Sequence, residues 1–362
     1  MRPTRLEVDL SAFVSNAKLA ASVSKAPVWC VVKANAYGSG AVQVSRVLEP
    51  IHEVRGFAVS LVEEGIELRE AGVQKPIIVM GPALSGSFEK LLALSLMPVL
   101  SSVADAEALA KYAEKNSVKA PVHIKVDTGM GRLGFQETGE VHQVLSNSHL
   151  DVRGITSHFS NADLEKDGAP GSKTESQISA FEAWLKEPKL AALEKHISNS
   201  AGAFIHQSAQ FDSVRVGLAL LGHGGFHSGL KPALQLRTEI SQVRDVKKGG
   251  TVSYGSLWVA PRNSRVAVLP LGYADGIPKR GTGKLAVSIA GHRVPIVGAV
   301  SMDMIVADVT NLPAVSPGEP VAVWGDGTVT ASDFAKACSL NEYEVSCGVS
   351  VRVPRTYVNS PE

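Results

Sequence analysis

The chain has 362 residues, 44% hydrophobic and 20% charged, with a formal net charge of +1. That balance describes a globular protein with ample core and leaves no electrostatic footprint for nucleic acid or an anionic membrane surface. No apolar signal core follows Met1-Arg2-Pro3-Thr4-Arg5, no apolar run approaches the ~20 residues that span a bilayer, and Cys30, Cys338 and Cys347 are too scattered for a disulfide framework or a zinc site. A cytoplasmic chain without a metal is therefore expected.

Eight short apolar runs recur in roughly the first 220 residues: Val28–Lys33, Phe57–Leu61, Pro76–Met80, Met97–Ser101, Val122–Asp127, Val152–Ser157, His196–Asn199 and Val214–Val216. Amphipathic helical stretches lie between several of them. Ser102-Val103-Ala104-Asp105 reads as a capping box opening a helix over Ala104–Lys115, and Ile178, Phe181 and Leu185 lie at helical spacing within Glu175–Lys186. Strand–helix alternation implies a parallel sheet, and eight repeats imply a closed (β/α)8 TIM-like barrel. After about residue 228 the texture changes. Thr238–Val246, Arg265–Pro270, Leu285–Ile289, Val294–Val300, Met304–Val309 and Pro320–Trp324 read as strands separated by Gly, Asn and Asp turns, with one short helical stretch over Ala331–Cys338. The expected division is a barrel over residues 1–228 and a mainly antiparallel β domain over residues 229–362.

Active sites of βα barrels lie at the C-terminal ends of the strands, and that rule sorts the polar residues. Lys33 closes the first run, where burial is expected to lower its pKa and free the amine for Schiff-base chemistry with an aldehyde. Tyr37 and the glycine turn Gly38-Ser39-Gly40 follow, suited to a phosphate. Lys125, Asp127 and Arg132 follow the fifth run, Ser157 and His158 the sixth, Asn199 and Ser200 the seventh, and Arg215, Gly217 and Leu218 the eighth. Arg215 is a permanent, donor-only cation; aimed at a pyridine nitrogen it keeps that nitrogen unprotonated and favours simple proton exchange. Arg132 suits a carboxylate or a phenolic oxygen. Lys125 as an ammonium would repel Arg132, so its charge faces away or is removed by modification.

Seven motifs then occur in order across the chain. They are Val32-Lys33-Ala34-Asn35-Ala36-Tyr37-Gly38, Lys125 through Gly134, Asn199-Ser200-Ala201, Val214-Arg215-Val216-Gly217, Val252-Ser253-Tyr254-Gly255, Gly272-Tyr273-Ala274-Asp275-Gly276 and Ser301-Met302-Asp303; Tyr343-Glu344 and Arg352-Val353-Pro354-Arg355 close the series. In these the chain resembles bacterial alanine racemases from end to end. The resemblance implies a pyridoxal 5'-phosphate (PLP) enzyme of fold type III, a head-to-tail homodimer acting on a small amino acid. It implies Lys33 as the Schiff-base lysine and Tyr254, delivered by the partner subunit, as the opposing base. Tyr37, Ser200, Gly217 and Leu218 would hold the phosphate, with Asn199 beside them. Arg215 would meet the pyridine nitrogen, with His158 in its network. Met302 would contact the substrate carboxylate, Tyr273 would line the entrance, and Lys125 matches a position carbamylated in many members.

The implied activity is interconversion of L- and D-alanine for peptidoglycan. A broader alanine and serine racemase is the nearest alternative. A PLP-dependent decarboxylase is disfavoured by Arg215, and a PLP-carrier protein by the second domain with Tyr254. The chain departs from the family pattern at Ser39, Ser301, Leu221 and Val351, where many or some members carry His, Cys, Tyr and Tyr. The change at Val351 removes one potential phosphate ligand.

Overall fold

The apolar runs of the first 220 residues become a barrel. The computed structural model describes residues 2–82 and 85–360. Its strands begin with β1 (Arg5–Asp9), β2 (Val28–Val31), β3 (Val54–Val59), β4 (Ile77–Val79), β5 (Leu96–Leu100), β6 (Ala120–Lys125), β7 (Leu150–Thr156), β8 (Glu194–His196) and β9 (Val214–Val216). The last eight form one sheet in the order β8-β7-β6-β5-β4-β3-β2-β9, with neighbouring strands parallel throughout the described residues. Its two ends meet through backbone bonds: the Arg215 N–H donates to the Ser198 carbonyl at 2.9 Å, and the Asp212 N–H to that of Lys195 at 3.0 Å. Strands buried on both faces explain why β2, β4 and β5 read as unbroken apolar runs, and β9 as two valines around the buried Arg215.

Helices separate the strands. The helix expected over Ala104–Lys115 is Val103–Lys115, with Ser102 as its N-cap: the Ser102 hydroxyl accepts the Asp105 N–H at 3.1 Å, one half of the expected capping box. The helix expected from Glu175 begins earlier, at Lys173, because Ser172 caps it by accepting the Glu175 N–H. Inside the barrel, the rings of Trp29, His123 and His196 pack together, with centroids 5.1–6.3 Å apart. Two glycines make room for them. A Cβ at Gly56 would lie 2.6 Å from the Trp29 ring, and one at Gly154 would lie 2.4 Å from His123 Nδ1.

The remaining strands are β10 (Leu234–Glu239), β11 (Gln242–Val246), β12 (Thr251–Val252), β13 (Trp258–Val259), β14 (Ser264–Leu269), β15 (Ala286–Ile289), β16 (His292–Val297), β17 (Ile305–Asp308), β18 (Pro320–Trp324) and β19 (Arg355–Val358). Nine strands build one sheet in the order β11-β14-β17-β16-β15-β18-β10-β1-β19, antiparallel except for the pairing of β1 with β19. The run expected over Thr238–Val246 is two strands. They break at Ile240-Ser241, whose N–H groups bond to Glu319 and Val268 respectively.

The chain forms two compact units: one holds the residues through Ser11, Tyr37–Ser39 and the chain from Pro232 onward, and the other holds Ala12–Ala36 and Gly40–Lys231. This differs from a boundary at residues 228/229. The N-terminal strand belongs with the later sheet because Leu6 pairs opposite Leu236 on one side and beside Arg355 on the other. Its alternation, Leu6 and Val8 buried between more polar residues, is that of a sheet strand. No helix among the described residues is long and apolar enough to cross a membrane.

Leu6 has no exposed surface. Leu6→Ala is expected to destabilise the protein by about 2–5 kcal/mol, read as a lowered urea midpoint. An unchanged midpoint would show that the N-terminal strand is peripheral to the sheet.

Candidate active site

Lys33 follows β2 by two residues and is half-buried, not a fully buried strand-end lysine. The backbone beyond it is unusual. Ala34, Asn35, Ala36 and Tyr37 all have φ between 50° and 55°, a turn of left-handed helix. For non-glycine residues this costs about 1–2 kcal/mol each, so the surroundings must impose it. Glu64 accepts the Ala34 N–H at 2.6 Å with one oxygen and the Ser60 and Leu61 N–H groups with the other. Asn35 accepts the Ala41 N–H through its side chain and the Gly40 N–H through its carbonyl. The ring of Tyr37 packs on that of Tyr343, centroids 5.4 Å apart.

Lys33 lines a cavity of about 350 Å³ at the C-terminal ends of the barrel strands, together with Lys125, Arg132, His158, His196 and Arg215. Arg215, in β9, is fully buried among neutral acceptors. Its Nη1 donates to Thr156 Oγ1 (2.7 Å), His196 Nδ1 (2.6 Å) and the His196 carbonyl (2.7 Å). Its Nη2 donates to the Ser157 carbonyl (2.6 Å), the Ile197 carbonyl (3.1 Å) and His158 Nδ1 (3.2 Å). Guanidinium nitrogens only donate. Both histidines therefore accept through Nδ1 and carry their protons on Nε2, and His196 Nε2 then donates to His123 Nδ1 at 2.9 Å. Burial first, and the Arg215 charge second, hold His158 and His196 well below the ordinary imidazole range. His123 is pushed down to about 4, mainly by burial. Burial lowers Arg215 itself to about 10, which leaves it cationic at neutral pH.

Lys125 ends β6 and is buried. Burial, then the charges of Arg215 and Arg132, lower its pKa to about 8, with Asp127 opposing. Arg132 stands on a loop pinned by the Asp127 carboxylate, which accepts the Gly129 and Gly131 N–H groups. The loop closes where Phe135 bonds back to Lys125 and Asp127. Gly134 permits that closure, since a Cβ there would meet the Asp127 nitrogen at 2.6 Å.

The eighth-strand motif and the Asn-Ser pair also meet. Asn199 caps the helix Ser200–Ile205 by accepting the Gly202 N–H, and the Ser200 hydroxyl gathers the N–H groups of Gly217 (3.0 Å) and Ala219 (3.2 Å). Gly217 and Leu218 lie at this convergence of donors, a suitable seat for a phosphate. A cation-rich cavity, a lysine amine and this donor cluster form a set that fits PLP. Sequence reasoning missed Thr156, His123 and His196. The His-Ile-Ser-Asn run over residues 196–199 carried the signal, since a histidine in an inward-facing strand position is costly without a partner.

Tyr254 and Met302 do not line this cavity. They line a second groove of about 530 Å³ within the later unit, with Val252, Ser301, Asp303 and Met304. Tyr254 is 76% exposed. It projects from a turn set by Ser253, whose φ is 65° and whose hydroxyl donates to the Ala299 carbonyl at 2.8 Å. Tyr273 stands on a turn hydrogen-bonded to the same segment, with its N–H on the Ser301 carbonyl and that of Ala274 on Met302. Gly272 allows the close approach, since a Cβ there would lie 2.2 Å from the Ser301 oxygen. Buried Asp275 locks the turn by pairing with Arg2 (2.7 Å) and Arg352 (3.1 Å), and Arg352 also reaches Asp303. Val351 is 97% exposed and offers no polar group.

Two family models match, described as the N-terminal domain of alanine racemase, over residues 8–224, and the C-terminal domain of alanine racemase, over residues 233–357. The alanine racemase of Halothermothrix orenii is 37% identical over 371 residues, spanning 99% of this chain and 97% of that protein. An alanine racemase structure from Clostridium difficile 630 superposes with a TM-score of 0.91 at 30% identity, covering 99% of this chain and 97% of that one. One from Bartonella henselae, with covalently bound pyridoxal phosphate, superposes with a TM-score of 0.89 at 29% identity, covering 99% and 100%.

The Arg215 network fixes tautomers as well as positions. Nitrogen-15 NMR of His196 and His158 is expected to show neutral, Nε2-protonated rings throughout about pH 5–8. Either ring titrating near its ordinary value of ~6.5 would refute the assignment. The linked effect on stability has a definite sign: below about pH 6.5 the unfolded chain takes up protons that these rings refuse, so stability falls as pH falls.

Proposed function

The chain belongs to the alanine racemase family, isomerases that interconvert L- and D-alanine, and on that premise we propose how its residues divide the reaction. Lys33 acts on one face of the substrate Cα and Tyr254 on the other. One takes the Cα proton and the other returns a proton from the opposite side, which inverts the centre. The observation that carries this reading is the exposure of Tyr254: it stands open on a turn held by Ser253, lining a groove with Met302, while Lys33 lines the barrel cavity among cations. A tyrosine so presented suits delivery into the cavity of a second copy, in a head-to-tail homodimer.

PLP would be held at Lys33, with its phosphate on Ser200, Gly217, Leu218 and Tyr37. When bound, it supplies an electron sink for the pair left at Cα. Arg215, still charged at neutral pH, discourages protonation of a ring nitrogen placed before it, which steers the reaction towards proton exchange. His158 and His196 hold the guanidinium in place. Arg132 grips the phenolic oxygen or the substrate carboxylate, Met302 contacts that carboxylate from the partner subunit, and Tyr273 lines the entrance. Lys125, with its pKa lowered to about 8, has a neutral amine fraction able to add carbon dioxide. The carbamate gains a negative charge, releases one proton and removes the repulsion towards Arg132. The product role that follows is D-alanine supply for peptidoglycan in the cytoplasm.

Exchange of the Cα proton with deuterated water tests the division of labour. Tyr254→Phe is expected to suppress exchange from one enantiomer by about 10²-fold or more while largely sparing the other. Mixing Tyr254→Phe with Lys33→Ala protein is expected to restore part of the lost racemisation, because hybrid dimers hold one intact pair of bases. Equal losses for both enantiomers, or verified hybrid dimers with no activity, would count against the reading.

A further inference from the structure

We propose that Asp167, Glu175 and His206 form a site for a divalent transition-metal ion, with zinc(II) the best-matched example. The residues lie outside the cavity described above and within one compact unit. One ligand atom from each can be chosen so that all three lie within 4.8 Å of one another. His206 is wholly buried, and its Nε2 lies 3.0 Å from the Ala162 carbonyl. A carbonyl only accepts, so Nε2 carries a proton, and in the neutral ring Nδ1 presents a bare lone pair. That lone pair has no hydrogen-bond partner among the described residues. It faces Asp167, whose nearest oxygen at 3.8 Å is beyond hydrogen-bonding reach.

A buried imidazole that donates one N–H to a carbonyl and points its other nitrogen at carboxylates has the arrangement of a metal-binding histidine. The carboxylates are already gathered: Glu175 accepts the Gly168 N–H at 3.2 Å, next to Asp167 in the chain. One imidazole with two carboxylates suits zinc and its neighbours, whereas calcium and magnesium prefer oxygen alone. Zinc bonds of about 2.0–2.2 Å require the exposed Asp167 and half-exposed Glu175 to close onto the fixed histidine. The sequence reading expects no metal, on the ground that the three cysteines are too scattered for a zinc site; His206 lies 31 residues beyond Glu175, outside any short ligand motif.

The ion would join three segments: the loop after β7, the helix Lys173–Trp184 and the end of the helix Ser200–Ile205. The first two are already coupled to the cavity wall. Gln177, on the same helix as Glu175, donates to the His158 carbonyl at 2.9 Å and accepts the Ser160 N–H. The ring of Phe159 packs on His206, centroids 6.2 Å apart. A bound metal would therefore act as a structural clamp on the segment bearing His158.

Calorimetric titration of tag-free, chelator-treated, full-length protein with zinc chloride tests the proposal, with cobalt(II) absorption reporting the ligands. One zinc per chain, a higher melting temperature with zinc, and about 100-fold weaker binding in Asp167→Asn/Glu175→Gln are expected. These substitutions lie at exposed or half-exposed positions, and the metal-free melting temperature of the variant checks its folding. No binding up to about 1 mM zinc, or equal binding by a folded double variant, would overturn the proposal.

Discussion

The structure turns on a buried cation that has no anion among its described hydrogen-bond partners. Arg215 is sealed inside the barrel, and among the described residues its six hydrogen bonds all go to neutral acceptors: three carbonyls, one hydroxyl and two imidazoles. Burying a guanidinium is tolerable only when its donors are satisfied, and these acceptors satisfy them without cancelling the charge. Two consequences follow from the same contacts. The acceptors come from β7, β8 and the residues just beyond them, so the network laces up the seam where the barrel closes. Burial does most to hold the neighbouring histidines neutral and to lower Lys125, and the retained charge adds to it in each case. Closure of the fold and the electrostatics of the cavity are therefore one interaction seen twice.

Around that charge the chain places its reactive groups by backbone constraint. Lys33 is aimed by a left-handed turn that L-residues resist, held by Glu64 and the Asn35 side chain. Tyr254 is aimed by Ser253 at positive φ, and Met302 by a segment packed against Gly272 and locked through Asp275. In each case strain or close approach is imposed by contacts distant in sequence, which is how a functional side chain keeps one geometry through a reaction.

The sequence carried much of this. Most of the barrel strands were legible because strands buried on both faces read as plain apolar runs between amphipathic helices, whereas β8 is Glu194–His196, polar and two residues earlier than the expected start at His196. Lys33, Lys125, Arg132, His158 and Arg215 were legible as a group because strand ends converge in a barrel. The first strand was missed: Arg5–Asp9 is short, and its partners lie more than 200 residues away. The split of Thr238–Val246 was missed because both halves are strands, and only the choice of neighbours separates them. His196 and His123 escaped because they act through Arg215, and no local spacing records a contact between β6, β8 and β9. Motifs known only by resemblance gained physical reasons: Gly272 admits the Ser301 backbone, and Arg352 anchors Asp275.

The central claim is that the uncancelled charge of Arg215 helps to set the protonation of the cavity, and Lys125 reports it most directly. Its ε-amine can be titrated by carbon-13 NMR of labelled lysine in carbon dioxide-free buffer. The account expects half-deprotonation at a pH of about 8 in the native chain, rising when Arg215→Gln removes the charge. Titration of Lys125 near the ordinary ~10.4 of a free lysine, or a value unmoved by the substitution in a folded protein, would contradict it.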